Sequence, residues 1–252
     1  MSEEIKKLHL SDDKFIAYHH IEGKENKPAI LFLSGFMSDM NGLKATALED
    51  FCRKKGYSYT RFDYFGHGQS SGEFNDGTIG QWKQNALDIL DKVTKGPQIL
   101  VGSSMGGWIA LLIALQRADR IAGLVGIAAA PDFTESLIWE KLSPEDKKKI
   151  KSDGVIYQDC DYGDDPYPIT MNLIEEGRNH LLLDKDKLDI NVPVRLLHGA
   201  LDQDVPYNYS VNIGELVTSD NMCVNIVFDG DHRMSEPKHI ELICNTIDEL
   251  IK

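Results

Sequence analysis

Long apolar runs are scarce in this chain. The longest candidate, 121–130, falls well short of the roughly 18 to 20 residues that a spanning helix needs, so no integral membrane protein is expected. Cysteine is also sparse: Cys52, Cys160, Cys223 and Cys244 stand far apart with no Cys-x-x-Cys pair. That spacing indicates neither a zinc knuckle nor a dithiol redox motif, and reduced thiols are expected. Positive charge is in deficit, with 27 Lys and Arg against 40 Asp and Glu and a formal net charge of −13. No Lys/Arg stripe with interleaved aromatics offsets the imbalance, so nucleic acid is not an expected partner. Neither Gly-x-Gly-x-x-Gly nor a Walker sequence occurs, which disfavours nucleotide binding. The stretch 1–20 carries mixed charges and no apolar segment of the signal-peptide kind, so the protein is expected to stay in the cytoplasm.

What the chain does have fits a globular protein: 42% apolar and 27% charged residues over 252 positions, enough to bury a sizeable core. Short apolar runs bounded by Gly, Pro or Asp alternate with stretches of helical period. This is the signature of an α/β fold, strands of a mostly parallel sheet joined by crossover helices. Strands are expected at 15–21, the first as part of a hairpin, 29–33, 57–64, 99–102, 121–128, 193–198 and 223–228. Helices are expected at 43–54, 80–93, 105–116, 209–217 and 237–251. One interval breaks the rhythm, because about sixty residues (131–191) separate two strands, far more than a crossover requires. The expectation is a core formed by 1–130 and 192–252, with 131–191 inserted as a helical cap. Within the cap, Ser143-Pro144-Glu145-Asp146 reads as a helix start. The stretch 157–169 reads as loop and 172–183 as helix.

Gly102-Ser103-Ser104-Met105-Gly106 sits between a buried strand and a helix. A sharp strand-to-helix turn leaves no room for side chains at its two glycines and presents the central serine, Ser104, as a nucleophile. The bare pattern arises by chance in roughly one chain in ten of this length, and its setting between strand and helix is what gives it weight. Ser103 is better explained as a helix-capping serine. A serine hydroxyl needs a base to take its proton, and the base needs an acid to fix its tautomer. In strand-end loops downstream, His198-Gly-Ala-Leu-Asp202-Gln-Asp204 offers two carboxylates and Asp229-Gly-Asp231-His232 offers the histidine. Of eight histidines only His232 has both the order and the strand-end position. His9, His19, His20 and His239 read as packing or surface residues, His67 as shaping a Gly-rich turn, and His198 as structural.

An oxyanion needs two N–H donors, expected from Met105, next to the nucleophile, and from Phe36, in the loop after the 29–33 strand. Cap residues Trp139, Tyr157, Tyr167, Arg178 and His180 are candidates to contact substrate. Arg178 suits a carboxylate, although an ion pair with Glu175 or Glu176 explains it more simply.

Taken together, these features resemble the α/β-hydrolase superfamily over essentially the whole chain. The blocks Leu33-Ser-Gly-Phe-Met-Ser-Asp-Met-Asn-Gly-Leu-Lys-Ala, Arg61-Phe-Asp-Tyr-Phe-Gly-His-Gly-Gln-Ser, Pro97-Gln-Ile-Leu-Val-Gly-Ser-Ser-Met-Gly-Gly-Trp, Pro193-Val-Arg-Leu-Leu-His-Gly and Asp231-His-Arg-Met are similar to its mammalian mitochondrial branch of acyl-protein thioesterases and acyl-glucuronide esterases. The resemblance implies an eight-stranded sheet, cleavage of acyl thioesters or esters of small molecules or acylated proteins, no metal or organic cofactor, and Asp202 rather than Asp204 as the acid. The mitochondrial presequence of that branch has no counterpart in 1–20, and the match weakens in 132–191. A carboxylesterase or carbon–carbon bond hydrolase would use the same three residues. A non-catalytic binding protein of this fold would have no reason to keep Ser104, Asp202 and His232 together. A monomer is the default expectation.

Overall fold

The computed structural model describes residues 4–24, 27–158 and 166–251. Its strands are β1 (Lys6–His9), β2 (Phe15–Ile21), β3 (Ala29–Leu33), β4 (Tyr59–Phe62), β5 (Gln98–Ser103), β6 (Ile121–Ile127), β7 (Val155–Gln158), β8 (Tyr167–Thr170), β9 (Val194–Gly199) and β10 (Met222–Val227). Its α-helices are α1 (Leu43–Lys55), α2 (Ile79–Lys92), α3 (Met105–Gln116), α4 (Pro144–Asp153), α5 (Met171–Gly177), α6 (Asn208–Leu216) and α7 (Pro237–Ile251). Eight strands form one sheet in the order β1-β2-β4-β3-β5-β6-β9-β10. The β1–β2 and β2–β4 pairs are antiparallel and every other pair is parallel. This is the expected architecture, with β1 added as the partner of the early hairpin strand.

Side-chain alternation sorts the core onto the two faces of the sheet. Leu31, Leu33, Leu100 and Leu124 face α2 and α3, where Trp82 and Trp108 are fully buried. Ile30, Phe32, Ile99, Val101, Val125 and Ile127 face the other way, towards Leu48 of α1 and Ile243 and Ile247 of α7. From β3 the chain crosses to β4 on one side and then returns to β5 on the other. The strand order therefore reverses between β3 and β5, and the crevice at their C-terminal ends is where open sheets of this kind place ligands.

The segment between β6 and β9 departs in detail from the expectation. The helix start at Ser143 forms as anticipated: its Oγ accepts from Asp146 N at 3.0 Å, with Pro144 in the first turn. The expected loop at 157–169 instead contributes strands at both ends. β7 and β8 pair antiparallel, with Ile156 opposite Ile169, and residues 159–165, with Cys160, lie outside the described residues. Four-residue strands are too short to show a period, and Pro168 reads as a breaker although the edge of a two-stranded ribbon tolerates it. The expected helix 172–183 is α only to Gly177, continuing as a single 3-10 turn at Arg178–His180. Asp132, at φ 60°, explains the next turn of chain: its buried carboxylate accepts the amides of Leu182 (2.8 and 3.0 Å) and Leu183 (2.8 Å), fixing them out of helix.

The turn after β4 carries His67, as its sequence position foretold. Its Nδ1–H donates to Phe65 O at 3.1 Å, and Tyr64, Phe74 and Trp82 surround the ring. Burial outweighs that hydrogen bond and lowers its pKa from 6.5 to about 4. The unfolded chain therefore takes up a proton here below about pH 6.5, which the folded protein refuses until about pH 4. Stability is expected to fall by about 3 kcal/mol between those limits. Urea melts of wild type and His67→Phe at pH 7 and pH 4 check this. The difference in ΔG between the two pH values should be smaller in the variant, and an equal difference would assign the effect elsewhere.

Candidate functional site

The C-terminal ends of β3, β5, β9 and β10 supply one cluster. At the end of β5 the backbone turns into α3 through Ser104, at φ 53° and ψ −119°. Two glycines make that turn possible by close approach. A Cβ at Gly102 would stand 2.3 Å from Gly106 O, and one at Gly106 would stand 2.1 Å from Leu33 O. Ser104 N donates to Ile127 O at 2.9 Å and its carbonyl accepts from Ala130 N at 3.1 Å, so the neighbouring strand pins the strained residue.

Ser104 Oγ lies 3.1 Å from His232 Nε2, and His232 Nδ1 lies 2.8 Å from Asp202 Oδ2. With Nδ1–H donating to the carboxylate, Nε2 is left to accept the serine proton. His232 comes from the turn after β10, where Asp231 Oδ1 accepts Met234 N at 2.9 Å. Asp202 comes from the loop after β9, and its side chain is wholly inaccessible. Burial pushes its pKa up, but hydrogen bonds from His198, His232 and the Val205 amide overcome this and hold the carboxyl well below the usual range. Asp204 lines the cavity, and it is Asp202 whose oxygen meets the His232 ring. Asp202, Asp204 and His232 are also the one group among the described residues whose donor atoms converge as metal ligands would, within 4.8 Å. A cation there would have to break the 2.8 Å bond that His232 Nδ1 makes to Asp202.

The loop after β3 passes directly over the serine: a Cβ at Gly35 would be 3.4 Å from Ser104 Cβ. Next to it stands Phe36, whose ring packs edge-on against Phe74, Trp82, Phe133 and Tyr167 at centroid distances of 5.0 to 5.9 Å. This aromatic contact fixes the loop, and neither the Phe36 nor the Met105 amide is spent on another described residue. Both residues line a cavity of about 550 Å³ with Ser104 and His232. On the side of the long segment Phe133, Leu137, Ile138, Tyr167 and Ile169 line it together with Gln158, while Lys44, Asp39, Asp204 and Arg233 bring charge to the lining. The Lys44 ammonium is depressed to about 8, by burial first and by Arg233 second.

Four of the five expected substrate contacts lie elsewhere. Trp139 is covered by Lys147, Lys151 and Arg178, with cation-to-ring distances of 5.3, 5.3 and 5.0 Å. Arg178 pairs with Glu135 at 2.7 Å rather than with Glu175 or Glu176. His180 Nε2 bonds Glu176 Oε1 at 2.7 Å, while its carbonyl accepts from Trp108, and Glu176 Oε2 in turn accepts Gly80 N at 2.9 Å. Glu176 and the His180 carbonyl thus tie the long segment to α2 and α3, the Trp139 and Arg178 contacts stay within that segment, and none of the Trp139, Arg178 and His180 side chains lines the cavity. Tyr157 is 62% exposed, and only Tyr167 of the five lines the cavity. Lys44 and Arg233 went unnoticed in the sequence because nothing in their spacing marks them, although Arg233 follows the candidate base directly.

A model of the α/β hydrolase fold family matches residues 28–167. The bovine palmitoyl-protein thioesterase ABHD10, mitochondrial, is 40% identical over 237 residues, covering 94% of this chain and 76% of that protein. The solved structure of mouse α/β hydrolase domain-containing protein 10 superposes with a TM-score of 0.90 at 38% identity, covering 98% of both chains. A putative hydrolase from Agrobacterium vitis superposes with a TM-score of 0.93 at 35% identity, covering 99% of this chain and 98% of the other. The relatives named ABHD10 are mitochondrial, and this corrects the cytoplasmic expectation: they point to the mitochondrion, and the composition of 1–20 was no guide to location. Among the described residues no helix is long and apolar enough to cross a membrane. On the family match and these near-complete relatives, the chain is a hydrolase belonging to the α/β-hydrolase fold family.

Proposed function

We propose that the protein cleaves acyl thioesters or carboxylic esters through an acyl-enzyme intermediate, with Ser104 as nucleophile, His232 as base and Asp202 as acid. The observation that carries this reading is the unbroken run of hydrogen bonds from Asp202 Oδ2 through His232 to Ser104 Oγ (2.8 and 3.1 Å), beside a cavity that apolar residues of the long segment help to line. Ser104 Oγ attacks the acyl carbonyl as its proton passes to His232 Nε2, and the Met105 and Phe36 amides receive the oxyanion. His232 then protonates the departing thiolate or alkoxide. It next takes a proton from water, whose oxygen attacks the acyl-enzyme carbonyl, and returns that proton to Ser104. Residues 131–191 act as the cap that selects the acyl group, since they supply apolar residues of the cavity lining. The relatives' name, palmitoyl-protein thioesterase, favours a thioester and a long chain.

The reading is tested by fluorophosphonate labelling followed by turnover of an acyl thioester series. Wild type should label, and lengthening the acyl chain by four methylenes that enter the cavity should raise kcat/KM about 200-fold, at roughly 0.8 kcal/mol per buried CH2. Turnover indifferent to chain length would reject the acyl-pocket assignment, and folded wild type that neither labels nor turns over would reject the enzyme mechanism. A preference for oxygen esters over matched thioesters would move the activity to a carboxylesterase.

A further inference from the structure

The side chain of His198, on β9, is entirely inaccessible, and it meets the same carboxylate oxygen of Asp202 that His232 does. Its Nε2 has two acceptors within reach, Asp202 Oδ2 at 3.1 Å and Val205 O at 2.9 Å, and two acceptors require that Nε2 carry the hydrogen. Nδ1 lies 2.7 Å from Ser210 Oγ, whose hydroxyl donates to it, and Ser210 is itself fully buried on α6. Three elements thus define one tautomer. On the other oxygen, Asp202 Oδ1 accepts the amides of Asp204 (2.9 Å) and Val205 (2.8 Å). The carboxylate therefore has four donors for its two oxygens, and Oδ2 is shared between His198 and His232.

Resting on the triad reading above, we propose that His198 is a positioning residue for the reaction, acting through Asp202. Its N–H fixes the rotation of the carboxylate and draws charge away from the oxygen that faces His232. Two consequences follow from removing that N–H. The carboxylate gains freedom to turn, which loosens the orientation of the base and lowers kcat with little effect on KM. The remaining charge on Oδ2 is also less neutralised, so the His232 imidazolium is held more strongly and the acid limb of the rate profile moves to higher pH. The titratable groups facing Asp202 are His198 on its own strand, Asp204 on its own loop and His232 on the loop after β10. From α6 only the uncharged Ser210 meets His198.

The test compares kcat and KM against pH for wild type, His198→Leu, His198→Gln and His198→Asn, each with a thermal melt. A glutamine amide can reach towards the place of the ring Nε2, whereas leucine offers no donor and asparagine is too short. We expect His198→Leu to lose about 10- to 100-fold in kcat, with KM nearly unchanged and the acid limb displaced upwards. His198→Gln should restore most of both. If the leucine variant does not fold, the asparagine and glutamine variants carry the comparison, and only asparagine should displace the limb. Coincident pH profiles in donor-bearing and donor-lacking variants of an active protein would overturn the role of His198 alone. A folded wild type without turnover would instead overturn the triad reading and this role together.

Discussion

Replacing Ser104 by alanine is expected to lower kcat/KM by about 10⁴- to 10⁶-fold while leaving the fold and the cavity intact. The magnitude follows from the way serine, base and acid act as one unit, so that loss of the nucleophile removes nearly everything except binding and oxyanion stabilisation. Stability separates this residue's chemistry from its backbone. Ser104 holds φ 53° and ψ −119°, a region in which an L side chain is strained by roughly 1 to 3 kcal/mol. Alanine keeps the Cβ and so keeps the strain, and Ser104→Ala should melt close to wild type. Glycine removes it at the cost of greater unfolded-state freedom, about 0.5 to 1 kcal/mol. Ser104→Gly should therefore be inactive yet gain about 1 kcal/mol, a rise of roughly 2 to 4 °C in Tm for a chain of this size. Steady-state kinetics and differential scanning calorimetry on the three proteins check both halves. An unchanged rate in Ser104→Ala would dismiss the nucleophile, and a lower Tm in Ser104→Gly would dismiss the strain.

That strained serine was also the most legible feature of the sequence. Gly102 and Gly106 are needed because backbone passes within 2.3 Å of where their side chains would be, and such a need leaves a mark in residue identity. The sheet was legible for a similar reason: strands such as Ala29–Leu33 are buried on both faces, which produces continuous apolar runs, and α3 and α7 take the limits that periodicity gave them. The long segment was legible only at its helix start, Ser143. The apolar residues it brings to the cavity also read as ordinary core, and its conspicuous polar residues, Trp139, Arg178 and His180, are consumed by Lys147, Lys151, Glu135 and Glu176. Partners 43 residues apart, as in Arg178 with Glu135, are set by tertiary packing. His198 shows the same limit, because its sequence position marks it only as the end of a strand. The shared Oδ2 contact becomes visible only once Asp202 has turned back onto it.

Asp202→Asn is expected to cost about 10³- to 10⁴-fold in kcat, and the hydrogen-bond inventory says why. The aspartate oxygens receive four N–H groups: His198 and His232 on Oδ2, Asp204 and Val205 on Oδ1. An asparagine has one oxygen and one NH2, so either orientation puts donor against donor. With the NH2 in the place of Oδ2, His232 is driven to the tautomer that carries hydrogen on Nε2, where it can no longer accept from Ser104. With the NH2 in the place of Oδ1, the two loop amides are left unpaired in a buried site, which costs about 1 to 3 kcal/mol each. Loss of rate should therefore be accompanied by loss of stability. The stability change should also depend on pH. Because the folded pKa of Asp202 is depressed, its contribution is complete above the ordinary carboxylate range and is lost as pH falls through that range towards the folded value. Urea melts at pH 7 and pH 3 should thus show the variant losing less on acidification than wild type. Equal losses would mean that Asp202 is not held ionised by its donors, and a wild-type rate in the variant would remove it from the triad.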